Sequence, residues 1–416
     1  MKISCAYDIR PRQATCGTNF IQTAFGIGPE TGRNVIAADV EIPFAPGQIV
    51  LFQGVSGSGK SSLLRAAGAQ VDGAVALAER FDGQRALIDT LGDDPRRAVQ
   101  ILSACGLAEA FLMLRTPEEL SDGQRYRYAL AQCLAAGART IIADEWCAKL
   151  DRTTARVISR NMRKLADREG VGLLAATTHE DLVEELSPDT VVSCQGGGRV
   201  EVRPWGPFCR GESLLAEFDV TGGALSDWAY FAGWHYRHGG LGPVKWVYLL
   251  WHGHRPAGIC LVGPSPLASG ARSGRFALPR HRGLARAAMV NANFASVTRL
   301  VIAPEYRGAG LAWRFLRRAA ELTPRPWIEL VAEMAALVPF AEAAGFRRIG
   351  QAADRSRQSH AALAARAASG RMGHCGGKKR PETLLKYLRR SRFSRPVHYL
   401  FDNRPASRLD RPAGQP

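Results

Sequence analysis

Eight consecutive residues, Gly54-Val55-Ser56-Gly57-Ser58-Gly59-Lys60-Ser61, carry chemistry in their spacing. The pattern G-x-x-x-x-G-K-[ST] is what a phosphate-cradling turn requires. Gly54, Gly57 and Gly59 let backbone N–H groups turn toward phosphate oxygens, with Ser58 between them. Lys60 is placed to reach the β- and γ-phosphates, and the Ser61 hydroxyl to ligate Mg²⁺. The elements that position these groups are legible on either side. The apolar run Ile49-Val50-Leu51-Phe52 predicts a buried strand entering the loop. Ser62-Leu63-Leu64-Arg65-Ala66-Ala67 predicts a helix leaving it, whose N-terminus at Ser62 adds positive potential.

Four further groups follow in the first half. Leu120-Ser121-Asp122-Gly123-Gln124 precedes a helical stretch, with Ser121 at the helix N-terminus. Thr140-Ile141-Ile142-Ala143-Asp144-Glu145 is an apolar strand ending in two carboxylates, Leu150-Asp151 follows closely, and Ala176-Thr177-Thr178-His179 ends another apolar strand. In this order the motifs resemble those of an ABC-type ATPase. The resemblance implies bound ATP with Mg²⁺, a hard ion suited to Ser61 and Asp144. It implies Glu145 as the general base that polarises the attacking water, and His179 as a γ-phosphate sensor. It further implies that Ser121 and Gly123 close on the nucleotide of a second subunit and that Asp151 communicates across that interface, giving a homodimer with ATP sandwiched between ATPase domains. Two features depart from transporter ATPases: the phosphate loop and residues 120–124 lie unusually close, and no strand end carries a clear glutamine. Gln84 and Gln100 are weak choices for that glutamine, as Phe25 and Phe44 are for an adenine-stacking ring. These departures favour the branch of the family that acts on nucleic acids or ribosomes over the one that serves transport.

The second half repeats the phosphate logic in other residues. Val297-Thr298-Arg299-Leu300-Val301-Ile302 predicts a strand, Arg307-Gly308-Ala309-Gly310-Leu311-Ala312 a tight loop, and residues 313–322 a helix. With the strand of residues 328–333 and Pro339-Phe340-Ala341-Glu342-Ala343-Ala344-Gly345-Phe346, this resembles the GNAT acyltransferase core. The resemblance implies that residues 307–312 hold the pyrophosphate of acetyl-CoA or another acyl-CoA. Glu333 at a strand end is the choice for a general base; His235 and Tyr236 are choices for lining the substrate cleft, Tyr306 sits beside the cofactor loop, and packing roles stay open for all four. Trp234-His235-Tyr236-Arg237 and residues 298–301 also resemble short stretches of Mom-type phage DNA-modification proteins.

Composition separates the halves. Residues 1–205 hold 23 basic and 25 acidic side chains, a net −2; residues 206–416 hold 32 and 13, a net +19. A surplus confined to one half points to a polyanion, so DNA or RNA is the expected partner there. No apolar run approaches the ~18 residues needed to span a bilayer, and Met1-Lys2-Ile3-Ser4-Cys5 lacks the apolar core of a signal peptide. The expectation is a cytoplasmic protein without membrane association. The nine cysteines form no C-x-x-C pair, which argues against a disulfide framework and a zinc knuckle.

The expected fold class is α/β: a P-loop ABC-type ATPase domain over residues 1–205, then a GNAT-like mixed α/β acyltransferase domain over 206–402. That second domain carries a basic insertion at 351–395, and residues 403–416 form a tail. Within the first domain the pattern predicts a β-rich lead-in before residue 49, a short strand at 86–89 and a helix from Arg96 to Ala110. It also predicts a helix over 228–238, a hairpin across Gly253, a loop over 263–290 and a last strand at 396–401. The function this implies is an ATP-hydrolysing ATPase fused to an acetyltransferase that modifies nucleic acid. The alternatives are a nucleic-acid clamp with a non-catalytic GNAT-like half, and a protein N-acetyltransferase.

Overall fold

The computed structural model describes residues 1–9, 13–27, 32–81, 83–205, 213–235, 240–276, 283–351 and 396–404. The chain forms two compact units. One comprises Met1–Glu217 with Pro304–Ala309, the other Phe218–Ala303 with Gly310–Pro416.

In the first unit, β1 (Lys2–Ile9) and β2 (Gly32–Glu41) pair antiparallel, with α1 (Cys16–Ala24) between them. The β-rich lead-in therefore contains a helix, started by the reciprocal hydrogen bonds of Thr15 and Thr18. The main sheet is built from β3 (Ile49–Gln53), β4 (Ala74–Ala76), β5 (Thr140–Ala143), β6 (Gly172–Thr177), β7 (Thr190–Gly196) and β8 (Arg199–Pro204). Its order is β4-β5-β6-β3-β7-β8, with parallel pairing from β4 to β7 and an antiparallel edge at β8.

Alternation along the strands sends side chains to two cores. Ile49, Leu51, Ile141, Leu173 and Val191 face α3 (Pro95–Ala104), α4 (Asp122–Ala135) and α5 (Arg152–Glu169). Val50, Phe52, Leu174, Ala176 and Val192 face α2 (Lys60–Gly68) and Ile3 and Ile36 of the small sheet. Because β3, β5 and β6 run parallel and adjacent, the loops after them open on one edge of the sheet, where α/β proteins bind ligands. Two short helices, α6 (Val183–Leu186) and α7 (Ser213–Ala216), complete this unit.

The second unit is one seven-stranded sheet. Its strands are β9 (Phe218–Gly222), β10 (Trp246–His252), β11 (Arg255–Pro264), β12 (Phe294–Ile302), β13 (Trp327–Ala332), β14 (Arg347–Gln351) and β15 (Val397–Asp402), in the order β14-β15-β13-β12-β11-β10-β9. Among the described residues the one parallel pair is β12 with β13, joined through α11 (Leu311–Leu322). Among the described residues four other helices flank the sheet: α8 (Trp228–Phe231), α9 (Gly270–Arg275), α10 (Leu284–Asn293) and α12 (Phe340–Ala343). Arg272 of α9 is fully buried and pairs with Glu329 of β13 at 2.7 Å.

Several local expectations are corrected. Residues 87–90 form a 3₁₀ turn instead of a strand. The helix beginning at Pro95 stops at Ala104, because Gly106 takes a left-handed backbone that ends it. The helix at Trp228 is one turn followed by a 3₁₀ turn to Trp234. Residues 263–290 contain α9 and most of α10, not a loop alone. The last strand, expected at 396–401, is present as β15 and lies between β13 and β14. Nearly all of the basic insertion and most of the tail lie outside the described residues.

Candidate nucleotide site

A cleft of about 550 Å³ opens at the shared edge of β3, β5 and β6. It gathers residues 56–62 of the phosphate loop, Asp144 and Glu145 after β5, and Thr177 and Thr178 at the end of β6. The loop demands its glycines. At Gly59, φ is 96° and a Cβ would lie 2.4 Å from Ile36 Cγ2; at Gly54 a Cβ would lie 2.2 Å from the Cys194 carbonyl oxygen. Any side chain at either position collides with its surroundings. Lys60 donates from Nζ to the Val55 carbonyl oxygen at 2.7 Å, which folds it onto its own loop. The buried Ser58 hydroxyl in the cleft wall has no hydrogen-bond partner. Buried polar atoms are normally satisfied, so this orphan fits a group that accepts or donates in the cleft.

Ser61 Oγ donates to Asp144 Oδ1 at 2.9 Å, and the same oxygen accepts from the Glu145 amide at 3.1 Å. Two hard oxygen donors converging beside a phosphate loop suit Mg²⁺. Glu145 is exposed on a left-handed turn, with φ 53°. His179 follows the cleft-lining Thr178 and does not line the cleft itself; its amide donates to Thr177 Oγ1 at 3.1 Å.

Ser121 and Gly123 are absent from this cleft. Ser121 is exposed and caps α4: its amide donates to Gln124 Oε1 at 3.0 Å and its hydroxyl accepts from the Gln124 amide. Asp151 caps α5, accepting from the Thr154 amide at 2.9 Å.

The cleft contains residues that sequence reading missed. Tyr7 of β1 lines it, half-exposed, its hydroxyl accepting from Asn34 Nδ2 at 2.9 Å. Phe25 is 73% exposed outside the cleft, and Phe44 packs against the core. Only the pairing of β1 with β2 brings Tyr7 to the loop, so no local motif could have marked it. Beside the carboxylates lies a second cavity of about 270 Å³, lined by Leu77, Glu79, Tyr126, Asp144, Glu145 and Lys149. Glu79, just beyond β4, pairs with Lys149 at 2.7 Å. Gln84 and Gln100 line neither cavity.

The phosphate-type loop of the second half is divided between the units. Gly310 has φ 91° and opens the twelve-residue α11 through Leu311 and Ala312. Pro304–Ala309 belongs to the first unit, where Arg307 Nη1 lies 3.3 Å from Glu109 Oε2 and Lys164 Nζ donates to the Ala309 carbonyl at 3.0 Å. Burial, opposed by Glu109, moves the Arg307 guanidinium below its ordinary pKa. Gly308 has φ 92°, and a Cβ there would lie 2.6 Å from Asn161 Nδ2. The left-handed backbone and the helix N-terminus suit an anion, whereas the Arg307 side chain is already answered by a carboxylate. Glu333 is half-buried where β13 ends, His235 is buried against Trp228, and Tyr306 is buried. Tyr236 lies outside the described residues.

No protein-family model matches the chain. Among curated proteins, it is 30% identical over 200 residues to the lipoprotein-releasing system ATP-binding protein LolD of Novosphingobium aromaticivorans, covering 38% of this chain and 87% of that one. It is 30% identical over 224 residues to the aliphatic sulfonates import ATP-binding protein SsuB 2 of Pseudomonas aeruginosa, covering 47% and 80%. Among solved structures, it is similar to a dimeric ATP-binding cassette in a post-hydrolysis state bound to ADP and Pi. That match has 17% identity, a TM-score of 0.38, and covers 50% of this chain and 99% of the other. With the phosphate loop, the paired carboxylates and most of the relatives' length represented in its first half, the chain belongs to the ATP-binding cassette family of ATPases.

Proposed function

We propose that the first unit hydrolyses ATP between two copies of this chain, and that the second unit uses an acyl-CoA to modify nucleic acid. The observation that carries the first part is the single cleft holding the phosphate loop, Ser61, Asp144 and Glu145 together. Lys60 exchanges its Val55 carbonyl for phosphate oxygens, and the Ser58 hydroxyl gains the partner it lacks. Ser61 and Asp144 would hold Mg²⁺, which would supply charge neutralisation at the phosphates. Glu145 takes a proton from the attacking water as general base, and His179, next in the chain after the cleft-lining Thr178, would have to turn toward the cleft to sense the terminal phosphate. Ser121 and Gly123 lie away from the cleft of their own copy, which leaves them for the cleft of a second, with Asp151 at that interface. Tyr7 is placed to stack on the base.

Glu145→Gln protein with Mg-ATP in gel filtration tests the arrangement. The expected outcome is retained ATP and a stable dimer; a variant that binds ATP yet stays monomeric would end the sandwich reading.

Support for the acyltransferase reading comes from the β12–α11–β13 parallel unit and the left-handed glycines at 308 and 310. The amides of residues 308–312 would receive the pyrophosphate, with Arg307 released from Glu109 to join them and Glu333 as the base. The surplus of basic side chains over acidic ones after residue 205 supports a nucleic-acid partner. Mass spectrometry of nucleosides and proteins, with and without the gene, separates nucleic-acid modification from protein acetylation and from a non-catalytic clamp. Among the described residues no helix is long and apolar enough to cross a membrane. The relatives' names refer to lipoprotein release and sulfonate import, so co-purification with membrane proteins would turn the reading toward transport.

A further inference from the structure

The turn that carries Glu145 is unusual in its backbone and in what holds it. Glu145 and Cys147 have φ of 53° and 58°, the left-handed region that residues with a Cβ rarely enter. Such conformations persist where the surroundings over-determine them. Two short-range bonds close the turn: the Ala148 amide donates to the Glu145 carbonyl at 3.0 Å, and the Leu150 amide to the Cys147 carbonyl at 3.1 Å. Two more fix Trp146 between its neighbours. Its amide donates to the Ala176 carbonyl of β6 at 2.7 Å, and its ring Nε1 to Ser159 Oγ of α5 at 2.9 Å.

One amide in this turn has a different kind of partner. Cys147 is fully buried, and its N–H donates to the Tyr126 hydroxyl at 2.9 Å. Tyr126 belongs to α4, is 5% exposed, and sets its ring edge-on to that of Trp146, with centroids 6.3 Å apart. It also lines the second cavity, as Glu145 does. A buried N–H that loses its acceptor costs the desolvation of an unpaired donor. The turn would then have to change its angles to find another, and Glu145 would move with it.

We propose that Tyr126 is a positioning residue for Glu145: its hydroxyl, by accepting from the Cys147 amide, holds the strained turn that aims the carboxylate into the nucleotide cleft. The inference rests on the reading of Glu145 as the general base. Tyr126 does not touch the reacting atoms, and it acts without ionising. Its aromatic ring is what reaches from α4 beneath the turn, so the hydroxyl is the only part that a conservative substitution need remove.

The test uses full-length Tyr126→Phe protein. The expected result is ATP binding of wild-type affinity and stoichiometry, an unchanged KM, and a kcat lowered by about tenfold or more, the consequence of leaving a buried donor unpaired and the base misaimed. A merely structural role would lower the fraction of molecules that bind ATP and leave turnover per bound ATP intact. Residue-resolved hydrogen exchange on the wild type gives a second reading that needs no variant. The Cys147 amide should be protected like those of β6, although it lies in a loop. Tyr126→Phe turnover within twofold of wild type per bound ATP, or a Cys147 amide that exchanges as fast as an exposed loop, would overturn the positioning role. Glu145→Gln is the control that separates the two readings. If that variant still hydrolyses ATP at the wild-type rate, the base assignment fails, whatever Tyr126→Phe does. If it is inactive while Tyr126→Phe is not impaired, only the positioning role fails.

Discussion

Two glycine-bearing loops open helices in this chain by the same local physics and end in different surroundings. At α2 the helix is entered through Gly59 with φ 96°, and at α11 through Gly310 with φ 91°. Each presents a helix N-terminus after a strand and a tight turn, the arrangement that receives anions. Around the first, Lys60 is held only by a carbonyl of its own loop, the Ser58 hydroxyl is unsatisfied, and a cleft stands open. Around the second, Arg307 is partly buried and paired with Glu109, and a Cβ at Gly308 would meet Asn161. A glycine-rich turn thus states that a backbone can receive a phosphate. Whether its charged side chain is free to do so depends on residues far away in sequence.

The largest effect that separates the loops is loss of the lysine. Lys60→Ala should weaken ATP binding by roughly ten- to hundredfold, the range for one hydrogen bond to a charged group. Arg307→Ala should leave ATP affinity unchanged. Titration of a fluorescent ATP analogue measures both, and equal losses would break the distinction.

The halves also differ in charge, −2 against +19. Lys378, Lys379 and Arg380 fall in the basic stretch outside the described residues. Replacing all three with alanine should weaken duplex DNA, single-stranded DNA and tRNA alike, because phosphate contacts position without reading bases. The log–log salt slope should flatten by about 2–3 units for three lost contacts. Fluorescence anisotropy across salt concentrations reports this; an unchanged slope would make the surplus a solvated surface.

A subtler experiment sharpens the contrast between the arginine and the lysine. If Glu109 competes with pyrophosphate for Arg307, Glu109→Gln should raise acetyl-CoA affinity several-fold, since a neutral amide is a weaker partner for a guanidinium. Calorimetry of wild type and variant measures it. No coenzyme A binding by either at millimolar concentration would leave the acyl-donor reading without support.

What the sequence revealed and what it hid follow from the range of the interactions. The phosphate loop, the Asp144–Glu145 strand end and the flanking α2 are local: strand, turn and helix adjoin, and each residue type has one purpose there. The same holds for β12, α11 and β13. Tyr7 was invisible because its place in the cleft comes from strand pairing, and Tyr126 because its acceptor role spans 21 residues. The Arg307–Glu109 pair spans 198 residues and inverts the expectation for that arginine's side chain. Residues 263–290 hid two helices because their Gly, Ser and Arg content weakens the apolar period on which a helix is recognised, and α10 exposes Leu284 at 90%.

The smallest expected effect sets an exposed ion pair against the partly buried one at Arg307. Arg152 of α5 and Asp181, two residues beyond His179, form a side-chain ion pair in which both partners are about half-exposed. The hydrogen bond from Arg152 holds the Asp181 carboxyl below its ordinary pKa, against a smaller upward push from burial. A carboxyl depressed in the folded state contributes stability that is present above its unfolded value, near ~3.9. That contribution is lost as pH falls through the folded value. Water and salt screen the pair, so Asp181→Asn should lower stability by less than about 1 kcal/mol at neutral pH. Arg307→Ala should cost more, about 1–3 kcal/mol, because it strips a partner from Glu109 and leaves a gap where a partly buried side chain stood. Thermal melts at neutral and acidic pH compare the two. The Asp181→Asn difference should shrink toward zero below the folded pKa and in high salt. A difference as large as that of Arg307→Ala, or one that persists in acid, would show that Asp181 does more than answer Arg152.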